Sequence, residues 1–274
     1  MSLSTLKDVL DPALRNGYAV AGLVVLGWED AVAFVQAAEA ADCPVILQAG
    51  PGCREHTPLP ILATMFRHLA ENASVPVVAH LDHGRDVEVC LQAMDVGFSS
   101  VMYDGSMLPL ADNIANTRRV VEAAAKYGVS VEGELGYVGY PDAPDNRPTV
   151  PAEAKQYVEA TGLDALAISV GNCHLQTEAN THLDMTLLAE IEALTDVPLV
   201  IHGGSGLPAT HRRELALHSK VCKFNIGTEL RQCFGASLRR TLAQDTAVFD
   251  RNTILRSVIE PMQKQSMQIM QNLR

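Results

Sequence analysis

Three segments of this chain set histidine beside other polar residues in otherwise apolar surroundings: His80-Leu81-Asp82-His83-Gly84, Gly171-Asn172-Cys173-His174 and His202-Gly203-Gly204-Ser205-Gly206. Carboxylates lie between them, in Asp104-Gly105-Ser106 and at Glu132 and Glu134. Imidazole and carboxylate together suit a divalent cation, and a catalytic zinc commonly takes three protein ligands with a fourth position open to substrate. Singly, each group has a plainer use. A histidine at a strand end is often a hydrogen-bonded structural residue, Asp82 or Asp104 can cap a helix, Glu132 reads as structural, and HGGSG can be only a tight turn. Jointly, three histidine segments and several carboxylates converging on one point predict Zn2+.

The glycine-rich segment supplies a second chemistry. Gly203, Gly204 and Gly206 let backbone approach a ligand closely, and Ser205 adds a hydroxyl. Asn225-Ile226-Gly227-Thr228 opens a helical pattern, and free N–H groups at a helix start favour an anion. Zinc beside such a cradle suits a phosphorylated ketone or ketose. The net charge of −11, from 21 Lys+Arg against 32 Asp+Glu, comes with no basic block. That surface repels nucleic acid and anionic membrane, so neither is an expected partner. A phosphate must instead be held by local N–H groups and metal.

The elements that must position these groups follow from hydrophobic patterning. Short Val- and Ile-rich runs predict eight strands: Tyr18–Leu26, Pro44–Gln48, Pro76–His80, Ser99–Met102, Val129–Glu134, Ala165–Val170, Leu199–Ile201 and Cys222–Ile226. Amphipathic stretches between them predict helices at Trp28–Ala41, Leu59–Leu69, Val87–Val96, Leu110–Tyr127, Ala152–Thr161, Asp184–Leu194 and Ala209–His218. Continuous apolar strands separated by helices indicate a parallel sheet, and eight βα units predict an α/β fold closed as a (β/α)8 TIM barrel, with a doubly wound open sheet as the competitor. Every polar segment above then falls at a strand's C-terminal end, where barrel chemistry sits. The 274 residues carry no linker or repeat, so residues 1–274 read as one domain, with Arg251–Arg274 as a helical extension. Gly136–Pro151 is the longest irregular stretch, rich in Gly and Pro, and reads as a lid or binding loop. Six scattered cysteines without a CxxC pair, no apolar leader and no membrane-length apolar run point to a reduced, cytoplasmic chain.

With HLDHG, SVMYDGS, VEGELG, GNCH, VIHGGSGL and KFNIGTEL in order, the chain from about Leu6 to about Met262 resembles the class II, zinc-dependent fructose/tagatose-bisphosphate aldolase family, closest to its tagatose-type branch. The resemblance implies His83, His174 and His202 as zinc ligands and Asp104 and Glu134 as carboxylates for an alternative metal position. Asp82 matches the group that exchanges a proton with the aldehyde-derived oxygen. Gly203, Gly204, Ser205, Asn225 and Thr228 match the segments that hold the dihydroxyacetone-phosphate half, with Gly227 as the small residue of tagatose-type members. The family's loop glutamate, which removes the substrate's carbon proton, is matched by Asp142, eight residues past Glu134. A monovalent cation, a phosphorylated sugar substrate and a homodimer or homotetramer are implied as well.

The chain departs from the family pattern at Leu23-Val24-Val25-Leu26, at Leu175 in place of a glycine, at the loop Gly50–His56, and in lacking an Asp-Pro-Arg triplet near the C-terminus. These departures concentrate on the substrate. Arg54, His56 or Arg147 is expected to read the far end of an unusual aldehyde or acid partner, and a ketose 1-phosphate is expected over a bisphosphate. A metal-dependent epimerase or isomerase, opposed by Asp82 beside His83, and a non-catalytic aldolase-like subunit are the rival readings. No Schiff-base lysine is needed where a metal polarises the ketone. Lys223 is the only lysine near a strand top.

Overall fold

The computed structural model describes residues 3–140 and 145–274. Eight parallel strands close in chain order: β1 (Val20–Val24), β2 (Val45–Ala49), β3 (Val77–Gly84), β4 (Ser100–Tyr103), β5 (Ser130–Leu135), β6 (Ala165–Ile168), β7 (Leu199–Ile201) and β8 (Val221–Ile226), with β8 pairing back to β1. The helices on the chain's first half are α1 (Leu6–Asn16), α2 (Trp28–Ala41), α3 (Pro51–His56), α4 (Leu59–Asn72), α5 (Val87–Val96) and α6 (Leu110–Tyr127). Those on its second half are α7 (Pro151–Thr161), α8 (Met185–Leu194), α9 (Ala209–His218), α10 (Thr228–Gln244), α11 (Arg251–Arg256) and α12 (Ile259–Asn272). The expected TIM barrel with its C-terminal helical extension is therefore the fold. No helix among the described residues is long and apolar enough to cross a membrane.

Strand residues are buried on both faces, by the helical ring outside and by side-chain layers inside, which explains their unbroken apolar runs. Helix starts carry their own signals: Asp86 accepts from Val89 N at the head of α5, and Asp184 from Leu187 N at the head of α8. The sequence reading missed α1 and α3. In α1, Leu6, Val9, Leu10 and Ala13 pack on Val20, Ile46, Val78, Met102 and Val200 at the N-terminal end of the strands. That helix plugs the bottom of the barrel, so its open end is the C-terminal one. The extension is two helices, and α12 packs on α2 and α10.

One deviation from the expected strands matters for chemistry. β3 runs to Gly84, taking the whole HLDHG segment into the strand. Its register with β4 shifts between Leu81 and Gly84, and His83 sits at φ 52°. Neighbours in a regular strand point to opposite faces. The irregularity lets both Asp82 and His83 reach the barrel top.

Candidate active site at the open end of the barrel

His83 from β3, His174 from the loop after β6 and His202 one residue beyond β7 meet at this end. Their ring centroids are 5.1 Å (His83–His174), 4.7 Å (His83–His202) and 5.6 Å (His174–His202) apart. One nitrogen from each lies within 4.8 Å of the others, and His83, Asp104 and Glu134 form an overlapping group of the same size. Two atoms of these groups, Nδ1 of His202 and Oε2 of Glu134, lie 3.5 Å apart, buried and without a hydrogen-bond partner among the described residues. Buried polar atoms are normally paired. A cation held there would partner both, and nitrogen donors with one carboxylate are a donor set that suits zinc.

The charges here are arranged around that space. Burial disfavours the imidazolium of His83, but Asp82, a 2.8 Å hydrogen bond to Asp104 and the nearby Glu134 outweigh it and raise its pKa to about 9. Burial, with Asp104 beside it, pushes Glu134 up to about 8. His174 and His202 are pushed down by burial and by the charge on His83. Without a metal the cluster therefore stores protons on His83 and Glu134 at neutral pH, and a divalent cation would displace them. Asp82 is 5% exposed, and its Oδ1 accepts from Asn225 Nδ2 at 3.2 Å. Burial opposes its ionisation, yet His83, His202 and Lys223 together hold it well below the usual carboxylate range.

These groups open onto a cavity of about 160 Å3, which Gly203, Ser205, Asn225, Gly227 and Thr228 also line. Thr228 begins α10, and the hydroxyl of Ser205 accepts from Glu229 N, tying the two segments together. The glycines have a further reason. Gly203 has φ 68°, and a Cβ on it would fall 2.0 Å from the carbonyl oxygen of Cys173. Gly204 and Gly206 are likewise packed against protein. The glycine run thus lets the loops carrying His174 and His202 touch, as well as leaving backbone open to a ligand. Leu175, standing where the family pattern has glycine, does lie at φ 56° and lines the cavity, 47% exposed.

Three sequence expectations about the far end of the substrate are corrected. Arg54 donates through Nη1 to the carbonyls of Ala49 and Asp82 and through Nη2 to that of His83, so its guanidinium ties β2 to β3 and does not line the cavity. His56 is exposed at the end of α3 and outside the cavity wall. Arg147 pairs with Tyr137 through backbone and donates to the carbonyl of Ser106 and to Met107 Sδ, away from the cavity. Asp142 lies outside the described residues. Tyr140, just before it, stacks on His174 at 5.2 Å.

The cavity wall also holds residues that sequence reasoning passed over: Arg85, Tyr140 and Arg231. Arg231 donates to Thr228 Oγ1 at 3.3 Å. Neither Arg85 nor Arg231 pairs with a carboxylate among the described residues. Gln48 is fully buried, its side-chain oxygen and nitrogen without a hydrogen-bond partner among the described residues, in the space above Gly22 and near Asn225. A glutamine closing the apolar run Val45-Ile46-Leu47 was the signal that could have found it.

The family model described as fructose-bisphosphate aldolase class-II matches residues 4–274. The chain is 37% identical over 262 residues to a fructose-bisphosphate aldolase of Geobacillus stearothermophilus, covering 93% of this chain and 91% of that protein. It is 36% identical over 259 residues to the Staphylococcus aureus strain Mu50 fructose-bisphosphate aldolase, covering 91% and 90%. Among solved structures, the YdjI aldolase of Escherichia coli K12 superposes with a TM-score of 0.86 at 29% identity, over 99% of this chain and 97% of that one.

Proposed function

The chain belongs to the class II fructose-bisphosphate aldolase family, and we propose that it reversibly cleaves a ketose phosphate to dihydroxyacetone phosphate and an aldehyde, with Zn2+ on His83, His174 and His202. The observation that carries this reading is the meeting of three imidazole nitrogens, within 4.8 Å of one another, with a buried Asp82 and a glycine–serine–threonine cradle on one cavity. Zinc held there would act as a Lewis acid toward the ketone carbonyl and make the neighbouring C–H acidic. Asp104 and Glu134 offer a second position with His83.

The remaining steps belong to side chains. Asp82, ionised and oriented by Asn225, takes the hydroxyl proton in cleavage and returns it in condensation. Asp142 takes the proton from carbon in condensation and in exchange, and returns one to that carbon in cleavage. The phosphate sits on Gly203, Gly204, Ser205, Asn225 and the start of α10 at Thr228, with Arg231 alongside. Gly227 keeps that wall clear, since a Cβ there would come within 3.0 Å of Val24. Val24, Leu26 and Gly50 to Cys53, which also line the cavity, carry no cationic side chain. With Arg231 beside that phosphate and Arg85 as the other arginine lining the cavity, a ketose 1-phosphate is taken as the substrate over a bisphosphate. An acidic aldehyde is the second reading, because Arg85 at the wall is exposed and has no carboxylate partner among the described residues.

Purified protein should contain about one zinc and exchange a carbon-bound proton of dihydroxyacetone phosphate with solvent, and a chelator should abolish exchange reversibly. His202→Ala should lose both. Absence of divalent metal, or full turnover in His202→Ala, would overturn the reading. Asp142→Asn should lose exchange itself, and Arg85→Ala should weaken only substrates whose aldehyde half is anionic.

A further inference from the structure

The interior of a TIM barrel is normally filled by layers of branched apolar side chains. One layer here is polar and charged. Lys223 from β8 donates to Glu132 Oε2 on β5 at 2.7 Å, and both are fully buried. The other oxygen, Glu132 Oε1, lies 3.1 Å from Nε2 of His202. On the far side Lys223 Nζ reaches Nε2 of His80 at 3.4 Å, and Nδ1 of His80 meets Ser100 Oγ at 2.8 Å. Every member of the chain Ser100–His80–Lys223–Glu132–His202 has 0% exposure.

Stability gives no reason for this layer. Burying an ion pair costs several kcal/mol per ion in desolvation, and well-packed apolar replacements are often as stable or more so. The directions of the hydrogen bonds supply a reason. An ammonium only donates, and a carboxylate paired with it only accepts. His80 must then receive the lysine proton at Nε2 and give its own Nδ1–H to Ser100. Glu132 must receive Nε2–H from His202, leaving the Nδ1 of His202 as a bare lone pair. That atom is buried with no hydrogen-bond partner among the described residues, 3.5 Å from Glu134 Oε2, and His202 shares its cluster with His83 and His174.

We propose that the Lys223–Glu132 pair is a positioning device that fixes His202 as its Nε2–H tautomer and so presents Nδ1 to the metal, with His80 and Ser100 bracing the lysine. The inference rests on the proposed zinc site. His80, although it opens the HLDHG segment, is a brace and not a ligand. Lys223 acts through Glu132 and His202 and takes no part in covalent chemistry.

Two double variants of the full chain separate positioning from charge balance. Glu132→Leu with Lys223→Met removes the acceptor for His202 and leaves no lone charge. Glu132→Gln with Lys223→Met keeps a carbonyl oxygen as acceptor. Zinc affinity is measured by chelator competition, and the stability of zinc-free protein by urea unfolding. Both variants should unfold near the wild-type midpoint. The Leu/Met variant should bind zinc about 10–100-fold more weakly, the range for losing a partner of a metal-bound histidine, while the Gln/Met variant recovers most of the affinity. Imidazole 15N shifts of zinc-free wild type, with His202 assigned through His202→Gln, should show Nδ1 unprotonated. Wild-type affinity in the Leu/Met variant, equal losses in the two, or a proton on Nδ1 would overturn the positioning role. A wild-type protein that takes up no zinc would instead overturn the metal reading, and the nitrogen shifts would still decide the tautomer.

Discussion

His80 offers a direct measurement of the buried polar layer through pH. Its imidazole is fully buried, faces the ammonium of Lys223 at 3.4 Å and is held neutral, with its pKa lowered to about 3 by burial first and by Lys223 second. The unfolded chain protonates this side chain at about 6.5. Because the folded value lies below the unfolded one, the unfolded state binds more protons in between. The contribution of neutral His80 is thus present above about pH 6.5 and is lost as pH falls. Between pH 7 and pH 5 the unfolded form gains about 0.7 of a proton and the folded form almost none, which integrates to about 2 kcal/mol. His80→Asn keeps a donor and an acceptor but does not titrate. Urea unfolding of zinc-free wild type and variant at the two pH values cancels the contributions of all other groups. Any difference in stability at pH 7 is a constant offset; the variant's loss on acidification should be smaller by about 2 kcal/mol. An equal loss in both proteins would refute the reasoning, since it would mean His80 protonates in the folded barrel as readily as in water.

Three further outcomes follow from the site. Asp82→Asn should lower carbon–carbon cleavage by about 10²–10⁴-fold while leaving proton exchange on dihydroxyacetone phosphate nearly intact; equal loss of both would remove Asp82 from its assigned step. Gly203→Ala sets a Cβ 2.0 Å from the Cys173 carbonyl at φ 68°, so it should destabilise by at least about 1–2 kcal/mol from the left-handed backbone alone and weaken zinc binding by shifting the His174 loop. A wild-type unfolding midpoint in that variant would show that the two loops do not press on each other. Arg54→Ala strips partners from the carbonyls of Ala49, Asp82 and His83. It should cost about 1–3 kcal/mol of stability without changing the ratio of kcat/KM for ketose 1-phosphate over bisphosphate, and a changed ratio would return Arg54 to the substrate.

The barrel was legible in the chain because its determinants are local. The β-runs and most helical stretches declare themselves by apolar patterning, and helices such as Val87–Val96 and Leu110–Tyr127 lie where the pattern puts them. The strand-top histidines were legible for the same reason, since a parallel barrel brings all C-terminal strand ends to one face. α1 escaped notice because its apolar face has meaning only against the barrel floor that it plugs. Pairings between distant strands were also closed to sequence reading: Glu132 finds His202 across 70 residues and Lys223 across 91. Arg54, conspicuous as a charge in a loop, turns out to bind backbone, and only the approach of β2 to β3 could determine that. Residue type and spacing by themselves set the fold and the kind of chemistry. Which side chain faces the metal space, which braces another and which closes a seam depends on where strand register and tilt carry each Cβ, and that is settled only when the barrel closes.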